Sequence, residues 1–305
     1  MPVPRLSPVG GTGPEDVAVR EDGTVYTGVK DGRILRLAPD GGVETVADTG
    51  GRPLGIEVHP DGDLVVCDAY RGLLRVDPST GSLTVLVEEV DGERMLLCDN
   101  AAVAPDGTIY FSDSSRRFTL AHWRADLMEH SGTGRLLRRD PAGRVEVLLS
   151  GLQFANGVAL SGDGSFVAVA ETGAYRVTRL WLTGPRAGQT DTLVDNLPGF
   201  PDNLSTGSDG LLWIAIPSPR NPVLDWAHAR PPWVRRAIWG LPQGLQPPPE
   251  HTTWVLAVDA DGRVVRDLQG RHGYHMVTGV REHHGTLYLG SLVDTSVAAV
   301  PLGAD

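Results

Sequence analysis

Residues 101–113 read AAVAPDGTIYFSD: an apolar run, the dipeptide Asp106-Gly107 and a second apolar run. Asp-Gly between two such runs is a strong local signal for a β-hairpin. Further strand-like runs follow the hairpin, such as RLLRRD at 135–140. This unit recurs along the chain at Asp22-Gly23, Asp61-Gly62, Asp106-Gly107, Asp163-Gly164, Asp209-Gly210 and, in degraded form, His284-Gly285. Four antiparallel strands per unit and six units predict an all-β, six-bladed β-propeller.

Length and composition fit one such domain spanning residues 1–305, rich in turn formers with 38 Gly and 23 Pro. The net charge of -11 argues against a nucleic-acid partner, because phosphates need a basic surface. No apolar run is long enough for a signal peptide or a membrane span, so we expect no membrane partner. The two cysteines, Cys67 and Cys98, fit a reducing compartment. These features predict a cytoplasmic protein and leave its oligomeric state open.

The repeat also predicts a ring of oxygen donors. Seven residues before each dipeptide stand Glu15, Leu54, Asp99, Asn156, Asp202 and Val277. Equivalent positions in a propeller are related by rotation, so these six should lie at one depth around the channel. Four of them carry oxygens that repel one another or stay unsatisfied unless a cation or water lies between them. Hard oxygen ligands favour Ca²⁺, with Mg²⁺ or Mn²⁺ as alternatives. The competing interpretation is that these residues only cap turns.

The spacing of the dipeptides predicts two lids. Their first residues, 22, 61, 106, 163, 209 and 284, are 39, 45, 57, 46 and 75 residues apart, so the third and fifth units are enlarged. The inserts, about 114–133 and 217–253, fall between second and third strands, which meet on the metal face. We expect helical lids over an apolar pocket for a small organic molecule. The candidate pocket residues are Leu54, Phe118, Trp123, Trp226, Trp233, Trp239 and Thr278. The alternative is that the lid tryptophans pack only within the inserts.

Several motifs resemble one family. GPEDVAV (13–19), TIYFSDSSRRF (108–118), FANGVAL (154–160), LPGFPDN (197–203) and EHHGTLYLGS (282–291) are similar to the strictosidine synthase-like branch of the senescence marker protein/gluconolactonase superfamily. The resemblance runs from about Gly13 to Leu302 and implies a six-bladed propeller. Relatives include calcium-dependent lactonases and paraoxonase-like arylesterases. The resemblance implies calcium ligands at Glu15, Asn156 and Asp202, with Asn203 following.

The chain departs from the family's pattern in three places. Where relatives carry a ligating Asn before an Asp, it reads Asp99-Asn100, so Asp99 is expected to ligate with Asn100 close by. The position of the plant synthase's catalytic glutamate is Thr278, which disfavours a condensation relying on that group. The position of the paraoxonase channel histidine is Leu54, so that base is missing too.

These observations predict metal-assisted hydrolysis of a lactone or of a carboxylic or aryl ester. Asp202 is the expected general base, and His275, on the metal-side loop entering the sixth unit, is the second candidate. The alternatives are a strictosidine synthase-like cyclase or other bond-forming enzyme, and a non-catalytic ligand-binding propeller with a structural metal. The sixth unit lacks a fourth strand, which we expect the N-terminal residues 3–8 to supply.

Overall fold

The computed structural model describes residues 1–239 and 250–303. An N-terminal strand, β1 (Arg5–Pro8), precedes the first blade. Blade 1 contains β2 (Val17–Val19), β3 (Val25–Gly28), β4 (Arg33–Leu37) and β5 (Val43–Asp48). Blade 2 contains β6 (Pro53–Val58), β7 (Leu64–Asp68), β8 (Gly72–Val76) and β9 (Leu83–Val87), and a short hairpin, β10 (Glu89–Val90) and β11 (Glu93–Arg94), follows it. Blade 3 contains β12 (Cys98–Val103), β13 (Ile109–Asp113), β14 (Gly134–Arg139) and β15 (Val145–Leu152).

Blade 4 contains β16 (Ala155–Leu160), β17 (Phe166–Glu171), β18 (Arg176–Trp181) and β19 (Thr190–Val194). Blade 5 contains β20 (Leu204–Thr206), β21 (Leu212–Ala215), β22 (Thr253–Val258) and β23 (Val264–Gly270). Blade 6 contains β24 (Val277–His283), β25 (Thr286–Ser291) and β26 (Ser296–Pro301). Every pairing within the blades is antiparallel, and successive blades form a ring. The predicted six-bladed propeller is confirmed.

The Asp-Gly dipeptides form the β-hairpin turns that the sequence predicts. The carboxylate of Asp22 accepts a hydrogen bond of 2.9 Å from the backbone N–H of Thr24, and Asp106 accepts one of 2.9 Å from Thr108. The glycine that follows has a positive φ, 82° at Gly23, which side chains disfavour. These turns lie at the ends of the innermost strands, on the face opposite the strand starts.

The N-terminal strand closes the ring, as predicted. β1 pairs antiparallel with β26, from Arg5 opposite Ala299 to Pro8 opposite Ser296. The backbone N–H of Val9 extends this pairing with a hydrogen bond of 3.0 Å to Thr295 O. Blade 6 therefore acquires its fourth strand from the other end of the chain, which covers an edge that would otherwise be unpaired.

The sixth hairpin corrects one position of the predicted ring. In blade 6 His283 pairs with Thr286, leaving a two-residue loop, whereas in blade 2 Val58 pairs with Leu64 and leaves five. Counting back seven residues from His284 therefore reaches Val277, one residue before the true ring position. The strand pairing makes Thr278, not Val277, the equivalent of Leu54.

Both inserts are helical, as predicted. The first carries α1 (Trp123–Glu129), and the second carries α2 (Pro222–His228) and α3 (Pro232–Trp239). Leu127 of α1 packs in one buried cluster with Leu54 and Phe154, which places this insert over the starts of the innermost strands. Among the described residues, no helix combines the length and the apolar character needed to cross a membrane.

Candidate metal centre and substrate cavity

The starts of the innermost strands bring the predicted oxygen donors to one level of the channel. Glu15, Asp99 and Asn156 are buried, with exposed fractions of 3%, 5% and 4%. Asp202 is only partly buried. Leu54 and Thr278 complete the ring and are both buried. Five of the six ring side chains therefore carry oxygen.

Hydrogen bonds orient the side chains of the ring. Ser114 Oγ donates to Asp99 Oδ2 at 2.5 Å, and Asn203 Nδ2 donates to both carboxylate oxygens of Glu15 at 3.2 and 3.3 Å. The side chain of Asn156 lies next to the Asp202 carboxylate and lowers its pKa, although burial outweighs this. Thr278 Oγ1 donates to the backbone oxygen of Glu15 at 2.8 Å.

One residue deeper, large polar residues alternate with glycines around the ring. The polar residues are in blades 1, 3 and 5: Asp16, Asn100 and Asn203. The glycines are in blades 2, 4 and 6: Gly55, Gly157 and Gly279. A Cβ at Gly55 would lie 2.6 Å from Asn100 Cα, one at Gly157 2.1 Å from Leu204 N, and one at Gly279 2.7 Å from Asp16 Cα. Only glycine allows the neighbouring backbone to approach so closely. At this level the backbones of neighbouring blades therefore pack directly against the glycines.

The second level is a scaffold for the first. Asn100 Nδ2 donates to Asp16 Oδ2 at 3.1 Å, and Asn100 Oδ1 accepts from Val158 N at 2.8 Å. Asp16 Oδ2 also accepts from Ile56 N at 3.2 Å. Both the nitrogen and the oxygen of the Asn100 amide are therefore hydrogen-bonded within the protein. Because the oxygen already has a partner, we do not include Asn100 among the metal ligands. Below this level Arg281 and Glu57 form an ion pair of 2.7 Å.

Burial and mutual repulsion dominate the electrostatics of the ring. Burial, followed by the carboxylates of Asp202, Asp16 and Asp99, raises the pKa of Glu15 well above its usual range. Burial and the charge of Asp99 likewise raise the pKa of Asp202. Burial raises the pKa of Asp99 to about 7 and that of Asp16 to about 6. Because the four carboxylates repel one another when all are ionised, the channel favours either their protonation or the binding of a cation between them.

Two amide oxygens show that a cation fits these residues. Asn156 Oδ1 and Asn203 Oδ1 are buried and have no hydrogen-bond partner among the described residues. The nitrogen of Asn203 donates to Glu15, and the Asn156 amide interacts with Asp202, so both amide oxygens remain for another ligand. Buried carbonyl oxygens without a partner are costly unless an ion or water binds them. Carboxylates and amide oxygens are the donor set of calcium.

A cavity of about 650 Å³ lies at the lid face. It is lined by Ala121, His122, Trp123, Arg124, Trp239, His251, His275, Met276, Leu292 and Val293. Of the predicted pocket residues, Trp123 and Trp239 line it. Trp226 and Trp233 are 51% and 68% exposed and lie outside its lining, as does Phe118. Leu54 and Thr278 lie in the ring below.

His275 lies at this cavity and not in the ring. Its Nδ1 is 2.9 Å from Gly273 O, and its ring stacks on His251 with centroids 4.1 Å apart. Met276 follows it and Thr278 comes two residues later, so one short segment joins the cavity wall to the ring. His275 therefore lines the cavity, whereas Asp202 lies in the ring.

Sequence comparison identifies the family. The strictosidine synthase family model matches residues 99–185, and the model described as strictosidine synthase-like, N-terminal, matches residues 4–37. Strictosidine synthase-like protein 6 of Arabidopsis thaliana is 36% identical over 296 residues, which cover 95% of this chain and 79% of that protein. The chain belongs to the strictosidine synthase-like family. The adipocyte plasma membrane-associated protein of Homo sapiens is 36% identical over 305 residues, covering 92% of this chain and 73% of that protein.

Solved structures share the fold of this strictosidine synthase-like propeller. A gluconolactonase from Xanthomonas campestris superposes with a TM-score of 0.70 at 19% identity, covering 99% of this chain and 96% of that one. Regucalcin, a calcium-binding protein from Agrobacterium tumefaciens, gives a TM-score of 0.65 at 15% identity, covering 97% and 91%. At these identities the similarity establishes the fold.

Three site residues were missed by sequence reasoning. They are Ser114, Asp16 and Arg52. Ser114 donates to Asp99, the charge of Asp16 adds to the rise in the pKa of Glu15, and the buried Arg52 partly opposes that rise. The alternation that contains Asp16 was visible six residues before each dipeptide, except in blade 6. The shorter sixth hairpin hid it there. Ser114 and Arg52 carry no repeat signal, because they reach the ring from other strands and loops.

Proposed function

We propose that this strictosidine synthase-like propeller is a calcium-dependent hydrolase of a lactone or a carboxylic or aryl ester of a small apolar molecule. The observation that carries the proposal is the pair of unpartnered amide oxygens beside four acids of raised pKa. The similarity in fold to a gluconolactonase and to a calcium-binding regucalcin supports it.

Glu15, Asp99, Asn156 and Asp202 would hold the ion, with the oxygen of Asn203 close by. A bound divalent cation supplies Lewis-acid polarisation of the substrate carbonyl. The hydrogen bonds from Ser114 and Asn203 keep two of these carboxylates in place before substrate arrives. Such preorganisation is the main contribution a rigid ring can make to catalysis.

Asp202 is the ring acid assigned to proton transfer, because it is the one that is not fully buried. It would accept a proton from water as the water oxygen bonds to the carbonyl carbon. The carbon–oxygen bond of the ester or lactone then breaks, and the leaving oxygen takes up that proton. The partial exposure of Asp202 lets a water reach the carboxylate, which a general base requires.

The bond-forming alternative has less support at the site. The family resemblance places the required glutamate at Thr278, whose hydroxyl donates to Glu15 O. A threonine engaged in this way offers no base. The substrate cavity, lined by Trp123 and Trp239, suits an apolar acyl or aryl group in either reaction.

The test is a panel of lactones and aryl esters assayed with calcium, after chelation, and after calcium is restored. We expect at least one substrate to be hydrolysed, with activity lost on chelation and recovered with calcium. As a control, Glu88→Gln removes one negative charge at an exposed site away from the ring. This variant should show the same activity and calcium dependence as the unmodified protein. A protein that binds calcium tightly but hydrolyses no member of the panel would contradict the proposal and favour the ligand-binding alternative.

A further inference from the structure

Two histidines and one glutamate meet on the face opposite the ring. Glu21 lies in the β2–β3 turn, and His283 and His284 lie where β24 turns into β25. His284 Nε2 is 3.1 Å from Glu21 Oε2, and His283 Nε2 is 3.9 Å from it. One ligand atom from each of the three residues lies within 4.8 Å of the others. Among the described residues, no other group of three histidine, cysteine or acidic side chains is so arranged.

The turn residue of blade 6 differs from its counterparts in the other blades. In the other blades the turn carries Asp, whose carboxylate accepts a backbone hydrogen bond, as Asp209 does from Leu211 N at 3.0 Å. His284 makes no such bond and has a φ of 46°, a region in which Asn, Asp and Gly are favoured in two-residue hairpins. Its ring instead extends to Glu21 of the neighbouring blade. The turn residue of blade 6 therefore completes the cluster instead of capping its own turn.

The backbone that carries the histidines is held firmly. The carboxylate of Glu282 accepts hydrogen bonds from Gly285 N at 2.7 Å and from Ser208 Oγ at 2.8 Å. Ser208 Oγ also accepts from His284 N at 3.0 Å. Two imidazoles on an anchored turn lose little freedom when they bind a common ligand, which lowers the cost of binding.

We propose that Glu21, His283 and His284 form a binding site for a divalent transition metal of the zinc class. Bonds of about 2.0–2.1 Å in a tetrahedral site separate the ligand atoms by roughly 3.3 Å. The distance of 3.1 Å from His284 Nε2 to Glu21 Oε2 is close to this value. The distance of 3.9 Å from His283 Nε2 to the same oxygen requires a small movement of Glu21, whose side chain is 85% exposed. Two imidazoles and one carboxylate favour zinc, cobalt or nickel over calcium. The fourth position is left for water.

Such an ion would link the turns of blades 1 and 6. This junction adjoins the blade in which the first and last strands of the chain meet, so the ion would tie the ring where its closure depends on a single strand pair. The site lies at the far end of the innermost strands from the proposed hydrolytic centre. Its presence and the hydrolase proposal are therefore tested separately.

The experiment is a titration with Zn²⁺ and, for spectroscopy, with Co²⁺, in saturating calcium so that the ring is not free to bind the added ion. We expect one equivalent to bind, with the visible absorption of four-coordinate Co²⁺ and a rise in melting temperature with zinc. His284→Asn suits the left-handed turn and removes one ligand. It should fold normally and weaken zinc binding at least about tenfold.

Two further variants make the result specific. Glu21→Gln should weaken binding in the same way, since a neutral amide is a poor zinc ligand. His59→Asn is the matched control, because His59 is paired with Asp61 at 2.7 Å in the corresponding turn of blade 2. It should leave zinc binding unchanged. The proposal is overturned if the protein takes up no zinc below about 100 μM, or if His284→Asn and Glu21→Gln bind as tightly as the control.

Discussion

Asp202 is the residue on which the hydrolytic mechanism depends most. It is the one partly exposed side chain of the ring, whose other five members are buried, and burial and Asp99 raise its pKa. Asp202→Asn keeps the size of the side chain and one oxygen for the ion, but it cannot accept a proton. We expect hydrolysis at saturating calcium to fall at least about a hundredfold, the usual contribution of a positioned general base.

His275→Ala provides the comparison. If Asp202 is the base, this variant should lose far less activity, because His275 lines the cavity above the ring. Circular dichroism and calcium binding check that both variants fold. Near-full turnover by Asp202→Asn with an inactive His275 variant would reverse the two roles.

Gly157 tests the close packing of the second level. An added methyl group would lie 2.1 Å from Leu204 N and 2.5 Å from Asn203 Cα, both backbone atoms that cannot move aside cheaply. Gly157→Ala should therefore lower the free energy of unfolding by about 1–3 kcal/mol or more, as overpacking does. It should also weaken calcium binding, since Asn203 is displaced.

Gly162→Ala is the matched control for that substitution. It lies in the same blade, its Cβ would meet no atom within 4 Å, and its φ is not in the left-handed region. Chemical denaturation should show little change, or a gain of about 0.4–1 kcal/mol from the stiffer unfolded chain. Equal losses from both alanines would refute the role given to the alternating glycines.

At the scale of elements, the two lids meet at a pair of stacked imidazoles. His130, directly after α1, and His228, the last residue of α2, have ring centroids 4.4 Å apart and an interplanar angle of 9°. His228 Nε2 lies 2.8 Å from Leu127 O. Both rings are partly buried, so their protonation would place two cations against one another in a desolvated contact.

This contact predicts that the lids loosen in acid. Burial, with a contribution from His228, lowers the pKa of His130. Burial and the nearby Arg235 lower the pKa of His228, although the hydrogen bond to Leu127 O and the charge of Asp225 oppose this. A base whose folded pKa is depressed contributes stability above its unfolded pKa of about 6.5 and loses it as the pH falls below that value. Hydrogen exchange should therefore show protection of α1 and α2 decreasing from about pH 7 to pH 5.

A variant separates this effect from general acid sensitivity. His130→Asn keeps a residue that tolerates the observed φ of 58° and removes one titrating ring. Its lids should lose much less protection over the same pH range, whereas blade strands should be unaffected in both proteins. Lid protection that does not change with pH would contradict the prediction.

For the whole molecule, ring closure depends on β1. Deleting residues 1–9 removes the four-residue pairing with β26 and exposes the edge of blade 6. We expect a clear fall in melting temperature and a greater tendency to aggregate. Deleting only residues 1–3, which precede the strand, should have a much smaller effect. An unchanged melting temperature in the longer deletion would mean that the blade is closed in another way.

The stability of the whole ring should also depend on calcium and pH together. Without an ion, Glu15 and Asp202 have pKa values well above the ordinary range, and those of Asp16 and Asp99 are about 6 and 7. Acids raised in this way contribute stability below their unfolded pKa, near 4, and lose it as the pH rises through the folded pKa.

Calcium replaces the protons that are lost in this way. The rise in melting temperature produced by calcium over chelator should therefore be larger at about pH 8 than at about pH 5. Glu15→Gln, which removes one of the repelling charges, should reduce the difference. A calcium effect of the same size at both pH values would show that the ring acids do not bind the ion.

The repeat made the fold readable from the chain alone. A turn signal recurring six times is a local property, since Asp106 and Gly107 act on their own backbone, and it specifies the hairpins wherever they lie. Rotational equivalence then led from the hairpins to Glu15, Asp99, Asn156 and Asp202. The N-terminal closing strand followed because a three-stranded last blade would leave an edge exposed.

Spatial relations between blades could not be obtained in this way. A one-residue difference in the sixth loop moved the ring position from Val277 to Thr278, because register depends on which residues pair across the sheet. The side chains of Asn100 and Asn203 are chemically alike, yet packing turns one amide into the scaffold and leaves the oxygen of the other without a partner. Trp123 and Trp226 both lie in lid helices, but only the folded contacts direct the first to the cavity. Composition and spacing give the types of side chain at a level of the channel, while their hydrogen-bond partners and burial depend on residues distant in sequence, which only folding brings together.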